Sequence, residues 1–248
     1  LVKCETNDLE VPADAEIILE GEICPDYKVE EGPFGEYTGY RTSPRDFRVT
    51  FRVNCITYRN NATMTISNMG VPQDEGQLLR SFSLGLELEK LLKSQGIPVT
   101  GVYMHPRSTH HMMIVGVKPT YSGVAQQIGQ LAFGSKLGPW FHMVMVVDDK
   151  TDIYNWDEVY HAFCTRCHPA NGIHIYKNST GTPLYPFATP HDRKYSIGSK
   201  VVFDCLWPVD WDPINDVPTL VSFKNVYPKD IQDKVLSNWT AYGYPPVK

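Results

Sequence analysis

Two glutamates separated by four residues are the part of this chain best suited to acid–base chemistry. Glu31 and Glu36 enclose Gly-Pro-Phe-Gly, in which Pro33 fixes its own φ and both glycines permit backbone angles that other residues avoid. This composition predicts a rigid, irregular loop. Paired carboxylates can divide the roles of acid and base, because each changes the pKa of the other. Spacing alone, however, is more typical of a surface loop with two solvated glutamates.

The elements that must position this loop follow an α/β pattern. Alternating β-branched and aromatic residues predict early strands, which look antiparallel. A long helix is predicted at 74–95, where four leucines fall on one stripe that packs into the core. Gly and Pro end this helix, and strands then alternate with helices, as in a layered α/β domain. The predicted strands are 16–23, 48–58, 62–67, 99–104, 112–117, 141–147 and 200–206, and the later helices are 122–133, 156–164 and 228–239. Loops are expected elsewhere between 172 and 218.

Composition excludes several function classes. The chain has 248 residues, 42% of them hydrophobic, and a net charge of −5. It has no long Lys/Arg run and no apolar run long enough to span a bilayer, so neither nucleic acid nor a membrane is expected as a partner. Its first residues do not resemble an export signal, which predicts a cytoplasmic protein with free thiols. Because the chain starts at Leu1 and not at methionine, we expect it to be part of a longer protein.

One cysteine motif could indicate a different chemistry. Cys164, Cys167 and His168 form the C-x-x-C-H pattern of c-type haem attachment, which also contains a redox-type C-x-x-C. Haem attachment requires export, and redox motifs open a helix, whereas this motif closes a predicted one. A zinc site would need a second Cys/His pair at ligand spacing. We therefore expect neither haem, redox nor zinc function.

Longer segments of the chain carry a resemblance to a known family. Three lie in the first 40 residues: Val2-Lys-Cys-Glu-Thr-Asn-Asp-Leu9, Val11-Pro-Ala-Asp-Ala-Glu-Ile-Ile-Leu-Glu-Gly21 and Glu31-Gly-Pro-Phe-Gly-Glu-Tyr-Thr-Gly-Tyr40. Later ones are Ser135-Lys136, Val146-Val-Asp-Asp149, Cys164-Thr-Arg166, Pro183-Leu184 and Trp239-Thr-Ala-Tyr-Gly243. Together they closely resemble the UbiD family, decarboxylases that use prenylated flavin mononucleotide to remove CO2 from aromatic and α,β-unsaturated acids. The resemblance spans nearly the whole chain and is most specific in the first 40 residues.

The resemblance implies a mixed α/β architecture in four parts. Residues 1–72 would be the end of a flavin-binding split β-barrel, and 73–96 a linker helix. Residues 97–226 would form a C-terminal layered α/β domain. Residues 227–248 would be a terminal helix and tail that contact another subunit of a homo-oligomer.

The resemblance also implies site residues. Glu36 would protonate the ring carbon after CO2 leaves, and Glu31 would be the second carboxylate, although Glu30 leaves a one-residue ambiguity. Lys136 would reach the flavin. The substrate wall would be formed by Tyr37, Leu79, Thr182 and Leu184, with Leu78 and Arg80 as alternatives to Leu79. The cofactors would be prenylated FMN, Mn²⁺ and K⁺. The metal ligands, and an arginine that pairs with the glutamates, would lie upstream of this chain.

Two hydroxyls on the substrate wall favour a phenolic ring. Family members that act on cinnamic acids tend to carry apolar or aromatic residues where Tyr37 and Thr182 stand. The expected reaction is therefore reversible non-oxidative decarboxylation of an aromatic hydroxy acid, 3,4-dihydroxybenzoate to catechol. Alternatives are a cinnamic or ferulic acid decarboxylase and a non-catalytic oligomerisation fragment, and this chain alone is expected to be inactive. Histidines that could bind a phenol, without an assigned role, are His105, His110, His111, His174 and His191.

Overall fold

The computed structural model describes residues 1–246. Its backbone divides into two compact units, of which the first covers Leu1–Leu206 and the second begins at Trp207. The first unit contains a long β-hairpin followed by a layered α/β part. The residues proposed from the sequence as site residues all lie in this first unit.

The hairpin consists of two long antiparallel strands, β3 (Ile17–Glu31) and β4 (Asp46–Tyr58), preceded by the short paired strands β1 (Val2–Lys3) and β2 (Glu10–Val11). The register runs from Ile17 opposite Tyr58 to Glu31 opposite Asp46. Apolar and polar residues alternate along β4, which places the apolar side chains on one face of the strand. These apolar side chains remain exposed: Phe47, Val49, Phe51 and Val53. The hairpin therefore positions Glu31 at its end without burying its own apolar face.

A 20-residue helix, α1 (Glu75–Ser94), links the hairpin to the α/β part. The Asp74 carboxylate and the Gln77 side chain form a reciprocal capping box at its start, which satisfies two free backbone donors. The predicted stripe is present, since Leu84, Leu88 and Leu92 are buried in the core. The sequence prediction of 74–95 thus agrees with the helix and its two capping residues.

The α/β part is a five-stranded mixed sheet covered on both faces. The strands are β5 (Val99–Met104), β6 (Met112–Val117), β7 (Met143–Asp148), β8 (Ile173–Thr180) and β9 (Ile197–Asp204), in the order β5-β6-β7-β9-β8. The central pairs β6–β7 and β7–β9 are parallel, and the two outer pairs are antiparallel. Helices α1 and α2 (Val124–Gly134) pack on one face, and α3 (Trp156–Arg166) packs on the other.

Two sequence predictions fail in this unit. Residues 62–67 do not form a strand, and within the described residues β3 and β4 pair only with each other in a two-stranded sheet. The loop predicted after 172 contains the edge strand β8 and the short helix α4 (Pro190–Tyr195). Strand β8 was not recognised from the sequence because it is polar. It is an edge strand that pairs only with β9, and Asn178, with its left-handed φ, interrupts the register of that pairing.

The second unit, which begins at Trp207, contains the single-turn helix α5 (Phe223–Val226) and the helix α6 (Lys229–Ser237). Helix α6 agrees with the terminal helix predicted at 228–239, whereas α5 was not predicted. The last two residues of the predicted tail segment, 247 and 248, lie outside the described residues. In residues 1–246, no helix has both the length and the apolarity that crossing a bilayer requires.

Candidate active site

Glu36 lies in a tight turn just after the hairpin strand that ends at Glu31. Gly32 takes a left-handed φ of 81°, a conformation that glycine adopts without strain. The Gly39 N–H then donates to the Glu36 carbonyl (2.9 Å), and the Glu36 N–H donates to the Tyr40 carbonyl (3.1 Å). The irregular loop predicted for this stretch is therefore present, and it leaves the Glu36 side chain partly buried.

Tyr37, the next residue, is buried with 8% of its surface exposed. Burial raises the pKa of its phenol, Glu36 raises it further, and Thr182 and Arg80 oppose the rise. Although Thr182 lies beside the phenol, within residues 1–246 the phenol oxygen has no partner with hydrogen-bond geometry. A neutral phenol of this kind can both donate a hydrogen bond to a ligand and accept one from it.

The first turn of α1 joins this loop to the α/β part. The Gln77 amide donates to the Tyr37 carbonyl (2.8 Å), and a ring nitrogen of His110 lies 3.2 Å from the Gln77 carbonyl oxygen. Thr109 and His110 both adopt left-handed φ angles, of 54° and 66°. Such angles cost non-glycine residues on the order of 1–3 kcal/mol each, and they recur at functional sites. The strained turn brings His110 to 5.2 Å from the Tyr37 ring, measured between centroids.

Arg80, one turn further along α1, is the member of residues 78–80 that contacts Tyr37. Its guanidinium carbon lies 5.8 Å from the Tyr37 ring centroid and 4.5 Å from that of Trp140. The Leu79 side chain is 74% exposed and that of Leu78 is 45% exposed. Helical geometry explains the difference, since Arg80 and Gln77 are three residues apart and share a face.

Thr182 and Leu184 lie on a loop that follows β8, and both are partly buried. The Leu184 N–H donates to the Thr182 hydroxyl (3.3 Å). Arg193 binds this loop to the segment after Glu36, because one of its nitrogens donates both to the Thr42 carbonyl (2.9 Å) and to a loop carbonyl. The loop carbonyls that accept hydrogen bonds from Arg193 are those of Pro183, Tyr185, Pro186 and Ala188.

Glu31 occupies an exposed position at the end of the hairpin. Its carboxylate lies 3.8 Å from the Arg48 guanidinium, which also pairs with Asp46 at 3.2 Å. Glu30 pairs with Arg45 at 3.2 Å. Each of these side chains is more than half exposed, and exposed pairs contribute only about 0–1 kcal/mol. The structure therefore brings Glu36, and not Glu31, into electrostatic reach of Tyr37.

Lys136 is exposed on the loop after α2. The segment that follows Lys136 is held in place by the buried Lys200. The Lys200 ammonium donates to the carbonyls of Gly138 (2.6 Å) and Phe141 (2.7 Å). Burial lowers the pKa of Lys200 to about 8. These hydrogen bonds hold the turn that carries Trp140, the ring under Arg80.

A cleft of about 650 Å³ opens beside this cluster and is lined in part by Thr38, the neighbour of Tyr37. Its walls combine aromatic rings, imidazoles and the Arg107 cation; they include Tyr40, His105, His111, His142 and Phe187. Two of the candidate histidines from the sequence, His105 and His111, therefore line this cleft, whereas the carboxylates and substrate-wall residues proposed from the sequence do not.

Two cleft histidines are kept neutral by the fold. Burial, together with the neighbouring His142, His110 and Lys200, lowers the pKa of His111 to about 3. Burial and Lys200 lower the pKa of His142 to about 4. Their rings lie 4.9 Å apart between centroids. His142 is not among the histidines singled out in the sequence, where nothing marks a residue between Phe141 and Met143 as functional.

Metal-binding side chains are not grouped in the described part of the chain. Within residues 1–246, no cluster of three or more His, Cys, Asp or Glu side chains could hold an ion. This donor set does not fit a divalent metal, so we derive no step through one.

Comparison with known proteins identifies both halves of the first unit. Residues 1–72 match the 3-octaprenyl-4-hydroxybenzoate carboxy-lyase Rift-related domain, and residues 77–205 match the C-terminal domain of the same family. Ferulic acid decarboxylase 1 of Saccharomyces cerevisiae is 32% identical over 98% of this chain and 50% of its own length. Pyrrole-2-carboxylic acid decarboxylase of Pseudomonas aeruginosa is 26% identical over 98% of this chain and 51% of its own length.

Solved structures give the same result. Vanillic acid decarboxylase of Sedimentibacter hydroxybenzoicus in closed form superposes with a TM-score of 0.79 at 28% identity, over 96% of this chain and 49% of that one. HmfF of Pelotomaculum thermopropionicum in complex with FMN has a TM-score of 0.75 at 28% identity, over 90% of this chain and 48% of its own. The chain thus spans about half the length of these relatives. Because its two domain matches cover most of its length, the chain belongs to the UbiD family of decarboxylases.

Proposed function

We propose that this chain is the C-terminal part of a decarboxylase of aromatic acids, and that Glu36 is its proton donor. The position of Glu36 carries the proposal. It lies beside the buried, unpartnered phenol of Tyr37, where α1 and the loop containing Thr182 meet the hairpin. Membership of the UbiD family supplies the reaction class.

The reaction requires an electron sink and an acid. Loss of CO2 from an aromatic acid leaves an electron pair on the ring carbon, and prenylated FMN, when bound, supplies the sink for it. Glu36 then delivers a proton to that carbon, a role for which a carboxylic acid on a partly buried turn is suited. Tyr37 and Thr182 orient the ring through hydrogen bonds. Glu31 serves as the second carboxylate, and its side chain lies 3.8 Å from the Arg48 guanidinium.

The residues present fit one wall of a flavin site but not its phosphate end. Lys136 offers an exposed cation on the α/β side, and Glu36 lies on the hairpin side. A glycine-rich phosphate loop is absent from the sequence. We therefore propose that an upstream half, of the kind that the longer relatives contain, holds most of the flavin together with Mn²⁺ and K⁺. The HmfF complex with FMN supports flavin as the cofactor class.

For the substrate, we propose a phenolic benzoate, with conversion of 3,4-dihydroxybenzoate to catechol as the first reaction to test. The unpartnered Tyr37 phenol supports this choice, because an apolar ring would leave it unpaired, and the Thr182 hydroxyl beside it offers a second polar group to a phenolic ring. A cinnamate-type substrate is the second candidate. It is favoured by the 32% identity with the ferulic acid decarboxylase.

A non-catalytic role is the remaining candidate for this chain in isolation. We propose that the chain is inactive without the upstream half and that the unit beginning at Trp207 mediates self-association. Exposed apolar side chains on and near α6 support this part of the proposal, including Val226, Ile231 and Leu236.

The test is CO2 release by the protein that carries the upstream half, loaded with prenylated FMN. The wild type should decarboxylate 3,4-dihydroxybenzoate, and Glu36→Gln should lose activity by about 10²–10⁴-fold, the usual contribution of a positioned acid. Glu87→Gln, at an exposed position on α1, is the matched control and should keep full activity. Undiminished turnover by Glu36→Gln would rule out Glu36 as the acid.

A further inference from the structure

Arg80 is a partly buried cation without a carboxylate partner. Ion pairs in the described residues involve other arginines and lysines, and none includes Arg80. No hydrogen bond of its guanidinium is present within residues 1–246 either. Charges that are withdrawn from water are normally paired, because leaving them unpaired costs free energy. Arg80 therefore has capacity to bind an anion that residues 1–246 do not supply.

The two rings beside Arg80 fix its position and leave its donors free. The guanidinium carbon lies 4.5 Å from the Trp140 centroid and 5.8 Å from the Tyr37 centroid. Contact with an aromatic face uses the flat side of a guanidinium, whereas its N–H donors point outward in the plane of the group. That edge is suited to bidentate binding of a carboxylate.

The surroundings of Arg80 are those of the proposed substrate pocket. The pKa of Tyr37 responds to Arg80, Glu36 and Thr182, so these three side chains lie around its phenol, and the Arg80 guanidinium carbon is 5.8 Å from its ring centroid. A ligand ring that lies against Tyr37, with one carbon near Glu36, could place a substituent at Arg80. We propose that Arg80 binds a second acidic group on the substrate ring, so that an aromatic acid with a second acidic group, such as a dicarboxylate, binds more tightly than the same acid without that group. This inference rests on the proposed decarboxylase function.

The group bound by Arg80 should be one that keeps its charge during the reaction. The carboxylate that leaves becomes neutral CO2, so a strong cation bound to it would stabilise the substrate more than the transition state and slow the reaction. A second acidic group stays charged in both states. Its interaction with Arg80 is then uniform binding, which lowers KM and leaves kcat unchanged.

The test compares benzene-1,4-dicarboxylate with benzoate in the flavin-loaded protein that carries the upstream half. Arg80→Met should raise KM for the dicarboxylate about tenfold more than it raises KM for benzoate, while kcat for the dicarboxylate stays within about twofold. Arg80→Lys should recover only part of the loss, since an ammonium cannot bind a carboxylate in the bidentate mode. Arg59→Met is the matched control at an exposed turn outside the site. Equal effects of Arg80→Met on both substrates would overturn the inference.

A binding measurement separates this inference from the proposed function. Isothermal titration of the flavin-free protein with benzene-1,4-dicarboxylate should show binding that Arg80→Met removes and Arg59→Met keeps. Should the wild type decarboxylate no aromatic acid, the proposed function fails, but Arg80-dependent binding would still support the inference. Binding that is absent or indifferent to Arg80 would overturn the inference, even where decarboxylation of other acids is observed.

Discussion

Around Tyr37, buried polar atoms outnumber the hydrogen bonds available to them in residues 1–246. The atoms without a partner include the hydroxyls of Tyr37, Thr38, Thr42 and Ser81 and one ring nitrogen each of His110 and His111. Each unpaired buried polar group costs about 1–3 kcal/mol. A fold retains such groups close together when something else pairs with them, and a polar substrate meets that requirement. These unpaired polar atoms therefore favour ligands with hydroxyl or acidic substituents over purely apolar ligands.

Substrate choice should follow from the two hydroxyls on the pocket wall. The wild-type protein with its upstream half should prefer phenolic benzoates to cinnamates by about tenfold in kcat/KM, which corresponds to about 1.4 kcal/mol. Replacing the hydroxyls in Tyr37→Phe and Thr182→Val should reduce that preference, because an apolar ring no longer leaves polar groups unpaired. Steady-state kinetics with 3,4-dihydroxybenzoate and ferulate measure both effects. A wild type that prefers ferulate would refute the assignment and support the cinnamate alternative.

At the scale of elements, the site depends on contacts between segments that are distant in sequence. Gln77 at the start of α1 binds the Tyr37 backbone, and Arg193 on α4 binds the Thr42 carbonyl. His111, at the end of the strained turn before β6, packs against His142, just before β7. Each of these side chains joins two elements, so none of them can be moved without displacing part of the site.

The neutral histidines should make this packing sensitive to acid. In the unfolded chain both histidines have a pKa near 6.5, whereas in the fold those of His111 and His142 are lowered to about 3 and about 4. The unfolded state thus binds more protons below pH 6.5, and stability falls as the pH falls from 6.5 towards 4. The loss is at most about 3 kcal/mol per histidine at pH 4.

Urea unfolding at several pH values between 7 and 4 measures this dependence. His142→Gln, which cannot be protonated, should flatten the profile relative to the wild type. His161→Gln, at an exposed position on α3, should leave the profile unchanged. A wild-type profile parallel to that of His142→Gln would contradict the origin proposed for the acid sensitivity.

Helices and strands whose own residues contain caps or a regular apolar pattern can be predicted from the sequence. The capping box and leucine stripe specify α1, and apolar runs specify β5 and β6 at the predicted bounds. The candidate site residues stay predictions: the spacing of two carboxylates and the family resemblance pointed to Glu36, and the resemblance alone pointed to Tyr37 and Thr182. Contacts such as Arg80 against Trp140, or His111 against His142, join segments far apart in the chain. Their formation depends on how the sheet and helices pack, and no local pattern encodes it.

At the scale of the whole molecule, the two parts of the first unit differ in how much apolar surface they bury. The five-stranded sheet is covered by helices on both faces, and its strands β6 and β7 are almost entirely buried. The hairpin exposes the apolar face of β4, where Phe47 is 60% exposed and Phe51 46% exposed. A two-stranded hairpin is marginally stable in water, and its apolar face needs further strands to cover it. The α/β part can therefore fold on its own core, whereas the hairpin needs additional structure.

The 248-residue chain by itself should accordingly show an ordered α/β core, a loosely held hairpin and no cofactor binding. Hydrogen exchange should be slow in β6 and β7, whose backbones are buried, and faster in β3 and β4, because local opening of the hairpin exposes little additional apolar surface. Isothermal titration with prenylated FMN and Mn²⁺ should show no binding at micromolar concentrations, since the described residues offer one wall of the flavin site and no metal cluster. Adding the upstream half should restore cofactor binding and slow exchange in the hairpin together. Micromolar binding by the chain alone would show that its own residues suffice to hold the cofactor, and that the Glu36 side of the pocket is more complete than its exposed hairpin suggests.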